Sequence, residues 1–475
     1  MNDDNNSISS YKKKQSSNVL LLLIFSLLAL TGCVKQTDFQ EEDIRPLPFS
    51  IPYSVDYIEG TEGPLLHIDG IRQALIDSPE QPVRVLVIHG MITDEAGYSE
   101  DMQERIGERL GLKLLEEKKE SIAINRGYDF TTYLGTQPLG KKPDLSELRK
   151  YVWVDPEQSN IERLIYYEVL WSPFRDQVKN EFLACFESRS VDQDCLPVKG
   201  KRNSDSRTLI NGLLKDEIMI NGFADPMILL GPLGDIIKDD IMLANCIVAR
   251  DILDKTDETF KRFKEERCNL SSYVIDEKTY QDTASILLET PFVAITESLG
   301  SFLYLDTEQR FSQSATLENK LRKENGRALS SEELQDSQLF NLYDQRTVYM
   351  MANQISLLLL ARYTAEDCYS DIDEEGECPN RLLRNRTEPL DPITARSTYV
   401  AFNDANDLLG FDITPNLQYT GTYGKVVNIS VRNPGLSIPF LFKSPGDAHR
   451  NHADNPAVIK AVVEGIEIPK RQLAD

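Results

Sequence analysis

The amino-acid sequence predicts an α/β protein with a mostly parallel central sheet that is flanked by helices. Short runs rich in β-branched residues alternate with polar stretches of helical periodicity along the 475 residues. This alternation is typical of strands that are joined by crossover helices. Several of the β-rich runs are apolar almost throughout, as expected for strands buried on both faces. Hydrophobic residues make up 41% of the chain, which is enough for a large core.

Six runs are predicted to be strands of this sheet: residues 83–89, 164–171, 292–296, 348–353, 397–403 and 426–431. A helix is predicted over residues 98–115, where Met102, Ile106, Leu110 and Leu114 recur at helical spacing. Residues 226–253 are also predicted to be mainly helical. Insertions or long loops are expected near residues 118–160, 177–220, 306–345 and 364–392. Loops of this length in a compact α/β domain often act as caps or lids over a site.

The N-terminus has the pattern of a secretory signal. Lys12, Lys13 and Lys14 precede an apolar run over residues 19–30, which only Ser26 interrupts. As a helix this run spans about 18 Å, whereas the hydrocarbon core of a bilayer is roughly 30 Å thick. The run is therefore too short to cross a membrane and predicts a signal peptide.

The apolar run ends at residues 30–33 in Leu-Thr-Gly-Cys, which resembles the cleavage site of bacterial lipoproteins. The resemblance implies that residues 1–32 are removed and that acyl chains are attached to Cys33. Several chains would anchor the protein stably, because each buried CH₂ contributes about 0.8 kcal/mol. An ordinary signal peptide with a cysteine by chance is the alternative. Residues 33–50 would form a polar tether, and Val34 favours the outer over the inner membrane of a Gram-negative envelope.

The other cysteines are predicted to form disulfides. They are Cys185, Cys195, Cys246, Cys268, Cys368 and Cys378. An even number in an exported chain suggests a set of pairs, and buried free thiols are the alternative. The spacing favours a Cys185–Cys195 pair and a Cys368–Cys378 pair. Cys246 is then left to pair with Cys268. A zinc site is not expected, since the cysteines lack a C-x-x-C pair and a neighbouring histidine.

The charge argues against a nucleic-acid partner. The chain has 76 acidic and 52 basic residues, and its formal net charge is −24, whereas a nucleic-acid binder needs a basic face to meet phosphates. The sequence also lacks a P-loop, a dinucleotide glycine pattern and an H-E-x-x-H motif. We therefore predict no cofactor and no metal.

Ser298 has the sequence setting of a nucleophile. It follows the apolar strand at residues 292–296, Gly300 stands two residues beyond it, and a helical stretch comes next. This is the pattern of a nucleophile elbow, in which a sharp strand-to-helix turn presents the serine and the helix N-terminus faces the reaction site. Thr296 occupies the position of the first glycine in G-x-S-x-G, so the strict pattern is not matched. An ordinary turn is the alternative.

A second buried strand ends in His89-Gly90. Together with the segment around Ser298, it resembles the α/β-hydrolase family, whose third strand ends in His-Gly. In that family the amide after His-Gly and the amide after the nucleophile form the oxyanion hole, which implies Met91 and Leu299 here. His89 itself is expected to bond its own loop rather than act as the base.

The resemblance covers residues 83–475 apart from the insertions. It implies that residues 51–475 form one domain with the α/β-hydrolase fold. It also implies an order along the chain of serine, acid and then histidine.

Only two of the four histidines follow Ser298 in the chain, namely His449 and His452. His449 is favoured as the base because it follows a small residue and precedes Asn455 by several positions, as in the family. His452 stays the alternative.

The acid is expected just after the strand at residues 397–403. Asp407 is favoured because it stands at the loop end before an apolar pair. Asp404 is the alternative, although an aspartate directly after a strand often shapes the turn. The implied triad is Ser298, Asp407 and His449.

These features predict an exported, lipid-anchored serine hydrolase of the bacterial cell envelope, acting on a carboxylic or lipid ester through an acyl-enzyme. Its partners would be a small-molecule or lipid ester and the membrane that holds its anchor. The alternative is a catalytically inactive surface lipoprotein with the same fold, acting as a binding or interaction module.

Overall fold

A computed structural model describes residues 65–91, 96–124, 146–158, 160–179, 222–231, 233–253, 286–287, 289–307, 346–360, 397–413, 424–435, 437–438 and 442–469. The predicted signal peptide, Cys33, the tether over residues 33–50 and every cysteine except Cys246 lie outside these residues. The expected insertion near residues 364–392 lies wholly outside them as well.

The strands of the described residues are β1 Leu65–Ile68, β2 Val83–Ile88, β3 Lys113–Leu114, β4 Glu120–Ile124, β5 Ser146–Asp155, β6 Ile161–Leu170, β7 Phe292–Glu297, β8 Thr347–Met351, β9 Ser397–Asp404, β10 Gly424–Val431, β11 Ser437–Ile438, β12 Phe442–Lys443 and β13 Ile466–Pro469. The helices are α1 Ile71–Asp77, α2 Glu100–Leu110, α3 Ser172–Lys179, α4 Ala224–Leu230, α5 Gly234–Leu253, α6 at residues 299–307, α7 Ile355–Leu360, α8 Pro445–Arg450 and α9 Pro456–Glu464. A short 3₁₀ helix spans Glu116–Lys118.

Within the described residues, nine strands form one sheet in the order β10-β9-β8-β7-β2-β6-β5-β3, with β4 paired to β5. The strands from β10 to β6 run parallel to their neighbours. On the far side, β5 is antiparallel to β6, and β3 and β4 are antiparallel to β5. The predicted α/β class with a mostly parallel central sheet is therefore confirmed.

Alternate residues of β2 point to opposite faces of the sheet, and helices pack on both faces. Leu86 and Ile88 pack into a core formed with α3, α5, α6 and α7. Val85 and Val87 pack on the other side, into a core formed with α1, α2 and α9. A strand in this position must be apolar on both sides, which is why its sequence is a nearly continuous apolar run.

The six predicted strands are confirmed as β2, β6, β7, β8, β9 and β10, with small shifts at their ends. The predicted helix over residues 98–115 is shorter and ends at Gly111, whose φ of 75° gives a left-handed cap. The prediction that residues 226–253 are mainly helical is confirmed, since most of them belong to α4 and α5.

The expected insertion near residues 118–160 is wrong where β4 and β5 lie, because both strands belong to the central sheet. β5 pairs with β6 along its length, with one irregularity between Trp153 and Val154. Its charged residues hide the strand pattern in the sequence. Lys150, for example, pairs with the largely buried Asp251 of α5 at 2.8 Å.

The first and last strands of the described chain lie side by side. β1 pairs with β13 in an antiparallel two-stranded sheet, with Ile68 opposite Ile466.

Cys246 of α5 forms a disulfide. Its predicted partner, Cys268, lies outside the described residues, so this pairing stays a prediction.

In the described part of the chain, no helix combines the length and the apolar character that a membrane crossing requires.

Candidate active site

The predicted site residues meet where β2 and β7 end. β2 lies between β6 and β7 in the sheet. The strands that follow β2 in the chain, up to β6, lie towards one edge of the sheet, and β7 lies on the other side of β2, towards the opposite edge. The crevice outside the carboxyl ends of strands at such a reversal is where open α/β sheets bind ligands. Gly90 and Met91 follow β2 there, and Ser298 follows β7.

Ser298 occupies a strained turn between β7 and α6. Its φ is 52°, a left-handed conformation that few residues other than glycine adopt. The backbone N–H of Ser298 donates to the carbonyl oxygen of Met351, at the end of β8, over 2.8 Å. The serine is 2% exposed. Such strain clusters at functional sites, where the surrounding structure holds it in place.

The turn is packed so closely that two of its neighbours must be glycine. A Cβ on Gly90 would lie 2.4 Å from the Cβ of Ser298, and a Cβ on Gly300 would lie 2.4 Å from the carbonyl oxygen of Ile88. The Thr296 side chain, in the position of the missing glycine, is fully buried. Its hydroxyl pairs with that of Ser301 at 2.8 Å, so the fold accommodates the departure from G-x-S-x-G.

His449 lies in α8, a short helix that begins with Pro445 after the cap residue Ser444. Its Nε2 atom is 2.9 Å from Oγ of Ser298. Its Nδ1 atom is 2.9 and 2.8 Å from the two carboxylate oxygens of Asp407. Since a carboxylate only accepts, Nδ1 carries the proton and donates it, which leaves Nε2 free to accept the serine hydroxyl proton.

Asp407 stands in the loop after β9 and is held in place by its own backbone. One of its carboxylate oxygens accepts the N–H of Leu409 at 2.9 Å. Its N–H donates to the carbonyl oxygen of Asp404 at 2.9 Å. A Cβ on Gly410 would lie 2.3 Å from the carboxylate, so the loop closes tightly around Asp407. The chain of contacts Asp407–His449–Ser298 can remove a proton from the serine oxygen.

Asp404, the alternative acid, contacts other groups. It forms an ion pair with Lys443 and accepts the N–H groups of Asn406 and Asn433 at 2.9 and 2.7 Å. Burial opposes ionisation of Asp404, but these donors outweigh it and hold the pKa of Asp404 below its ordinary value. Its contacts join the end of β9 to the segments that follow β10.

His452, the alternative base, supports the backbone of His449. It is fully buried, and its Nδ1 atom lies 3.0 Å from the carbonyl oxygen of His449 and 2.9 Å from the side-chain nitrogen of Asn433. Burial lowers the pKa of His452 to about 4. His452 is therefore neutral at pH 7.

His89 bonds its own loop. Its Nδ1 atom donates to the carbonyl oxygen of Gly90 at 2.9 Å, and its Nε2 atom accepts the N–H of Trp171 at 3.2 Å. The imidazole also stacks on the Trp171 ring with 4.8 Å between centroids. His89 thus ties the end of β2 to the end of β6.

Leu299 and Met91, the predicted oxyanion residues, flank Ser298. Leu299 is the first residue of α6, and the N–H groups of a first helical turn lack intrahelical partners. Met91 directly follows Gly90, where an added Cβ would lie 3.1 Å from Oγ of Ser298. The participation of the two amides in an oxyanion hole stays a prediction.

Gln354 is a site residue that the sequence reasoning missed. Its Nε2 atom donates to Oγ of Ser298 at 3.0 Å, and the residue is 1% exposed. The only signal in the sequence is the polar pair Asn353-Gln354 at the carboxyl end of a buried strand.

The described residues contain no group of three or more histidine, cysteine, aspartate or glutamate side chains placed to hold a metal ion. Comparisons with protein-family models, curated proteins and solved structures gave no match. The functional conclusion therefore depends on the geometry around Ser298.

Proposed function

We propose that the protein is a serine hydrolase with the α/β-hydrolase fold, and that Ser298, His449 and Asp407 form its triad. The observation that carries the proposal is the continuous contact from Asp407 through His449 to Ser298, each step within 2.9 Å. The left-handed turn at Ser298 and its position at the reversal of strand order support the same conclusion.

In the proposed reaction, Oγ of Ser298 attacks an ester carbonyl carbon while Nε2 of His449 takes its proton. Asp407 holds the imidazole in the correct tautomer and stabilises the imidazolium that forms. The amides of Leu299 and Met91 donate to the oxyanion of the tetrahedral intermediate, where each donor typically contributes about 10²–10³ in rate. His449 then gives its proton to the leaving alcohol, and a water that His449 activates hydrolyses the acyl-enzyme.

The proposed substrate is a carboxylic or lipid ester, and the proposed location is the bacterial cell envelope, with the outer membrane favoured. The support is the resemblance of residues 30–33 to a lipoprotein cleavage site and of the serine segment to the esterase and lipase family.

A fluorophosphonate probe tests the proposed nucleophile, because Oγ of an activated serine displaces fluoride from its phosphorus. Folded wild-type protein is expected to be labelled, and Ser298→Ala is expected to lose the label completely. Ser301→Ala is the matched control, since Ser301 is also a buried serine and stands in α6, three residues beyond Ser298. It should keep the label. Folded wild-type protein that stays unlabelled would contradict the proposal and support the binding-module alternative.

The lipid anchor has a separate test. Cells expressing the full chain are grown with a radiolabelled fatty acid, and the protein is recovered and examined on a gel. The wild-type band is expected to carry the label, and Cys33→Ser is expected to lose it because the thiol that accepts the lipid is gone. A Cys33→Ser band labelled as strongly as wild type would refute the anchor.

A further inference from the structure

The end of β8 wraps closely around Ser298. Met351, the last residue of β8, accepts the N–H of Ser298. Ala352 then turns the chain with a φ of 51°, and its own N–H donates to the carbonyl oxygen of Phe402 in β9 at 3.0 Å. This second left-handed turn is strained for a residue with a side chain. It directs the next two residues across the end of β7.

Asn353 fixes the backbone next to Gln354. Its side-chain nitrogen donates to the carbonyl oxygen of Phe411 at 2.8 Å and to the side-chain oxygen of Asn403 at 3.2 Å. Its side-chain oxygen accepts the N–H of Ile355 at 3.4 Å. These contacts hold the backbone on both sides of Gln354, whose side chain is buried.

The amide of Gln354 lies among the atoms that would react. Its Nε2 atom is 3.0 Å from Oγ of Ser298 and 3.6 Å from the sulfur of Met91. Oγ donates its own proton to His449, so the Gln354 amide occupies one of the two lone pairs of the serine oxygen. The sulfur is only a weak acceptor, so the N–H that faces Met91 retains donor capacity.

We propose that Gln354 is a catalytic residue whose side-chain N–H donates to the oxyanion of the tetrahedral intermediate. This inference rests on the proposed hydrolase function and adds a side-chain donor to the amides of Leu299 and Met91. The oxyanion and Oγ are bonded to the same carbon in that intermediate, so the amide that contacts Oγ is close to the oxyanion wherever the second C–O bond points towards Gln354.

The hydrogen bond that Gln354 donates is stronger in the transition state than in the free protein. As Oγ bonds to the carbonyl carbon, its proton moves to His449 and the carbonyl π electrons move onto the carbonyl oxygen. Gln354 keeps its protons throughout. Its N–H faces a neutral hydroxyl at the start and a negative oxygen at the end, and hydrogen bonds to charged acceptors are stronger. Only such a difference accelerates the chemical step.

Gln354→Met tests the proposal, because methionine has similar length and no N–H donor. Hydrolysis of p-nitrophenyl butyrate is expected to show a kcat lowered by about 10²–10³, with KM nearly unchanged. The affinity for a boronic acid that mimics the tetrahedral intermediate should fall by a similar factor. A purely structural role would not weaken binding of the analogue while leaving KM intact.

Gln103→Met is the matched control. Gln103 of α2 is also 1% exposed, and its side-chain oxygen accepts the indole N–H of Trp153 at 3.3 Å. This substitution should lower stability without changing kcat or the analogue affinity.

Gln354→Glu gives a second measurement at the same position if Gln354→Met does not fold. Glutamate has the same shape but presents an oxygen acceptor, so kcat should fall further than in Gln354→Met. Fluorophosphonate-reactive wild type together with wild-type kcat in either folded variant would overturn the inference and leave the hydrolase proposal intact. Unlabelled wild type would instead overturn the hydrolase proposal.

Discussion

Asp407→Asn is expected to lower kcat for ester hydrolysis by about 10⁴-fold. The side chain of asparagine is a donor as well as an acceptor, and Asp407 now accepts both from His449 and from the N–H of Leu409. An amide nitrogen facing His449 would require Nδ1 to accept, so the imidazole proton would move to Nε2. Ser298 would then face a donor and could not lose its proton. The measurement is p-nitrophenyl butyrate hydrolysis by folded protein.

Asp404→Asn is the matched comparison, because the same change is made three residues away. Asp404 contacts Lys443 rather than His449, so the variant should keep kcat within about tenfold. Its free energy of unfolding should instead fall, since removing one partner of a buried ion pair typically costs about 3–5 kcal/mol. Full activity in Asp407→Asn together with an inactive but folded Asp404→Asn would reverse the assignment of the acid.

Between pH 6.5 and pH 4, His452 is expected to remove about 3 kcal/mol from the free energy of unfolding. Burial lowers the pKa of His452 to about 4, against 6.5 for an exposed histidine. As the pH falls, the unfolded chain therefore binds the proton first, and acid favours unfolding. The contribution is fully present above pH 6.5 and is lost once the pH reaches the folded value.

Urea unfolding of wild type and His452→Gln over this pH range measures the effect. The wild-type curve should fall more steeply with acid than the His452→Gln curve, whatever their difference at neutral pH. His67→Gln, made at an exposed histidine near the start of the described chain, controls for removing an imidazole in general. Parallel curves for wild type and His452→Gln would show that His452 does not titrate as expected.

The parts of the fold that the sequence predicts well are those with a local signal. β2 and β7 are apolar runs. This is expected because a strand that is buried on both faces has mostly apolar side chains on each face. β5 shows the opposite case. Its charged Arg149 and Lys150 are compatible with a central sheet only because Glu147 and Asp251 pair with them, and Asp251 stands in a helix far along the chain.

The residues of the candidate site also differ in whether the local sequence carries a signal for them. Ser298 stands in a strand–turn–helix pattern, and His449 follows from the small number of histidines. The preference for Asp407 over Asp404 rests on a family pattern. In the structure, the ion pair with Lys443 distinguishes Asp404 from Asp407, and the local sequence gives no signal for that pair. Gln354 has no motif at all, because its role depends on a turn at Ala352 that brings one strand end over another.

The pairing of β1 with β13 sets the order in which a growing chain can mature. Among the described strands β1 pairs with β13, so this pairing waits until Ile466–Pro469 have been synthesised, and His449 is made only shortly before them. A ribosome-bound chain that has already formed β7 therefore carries Ser298 without its proposed base. The nucleophile of such a chain would be inert, and biosynthesis itself would delay hydrolytic competence until His449 has been made and has reached Ser298.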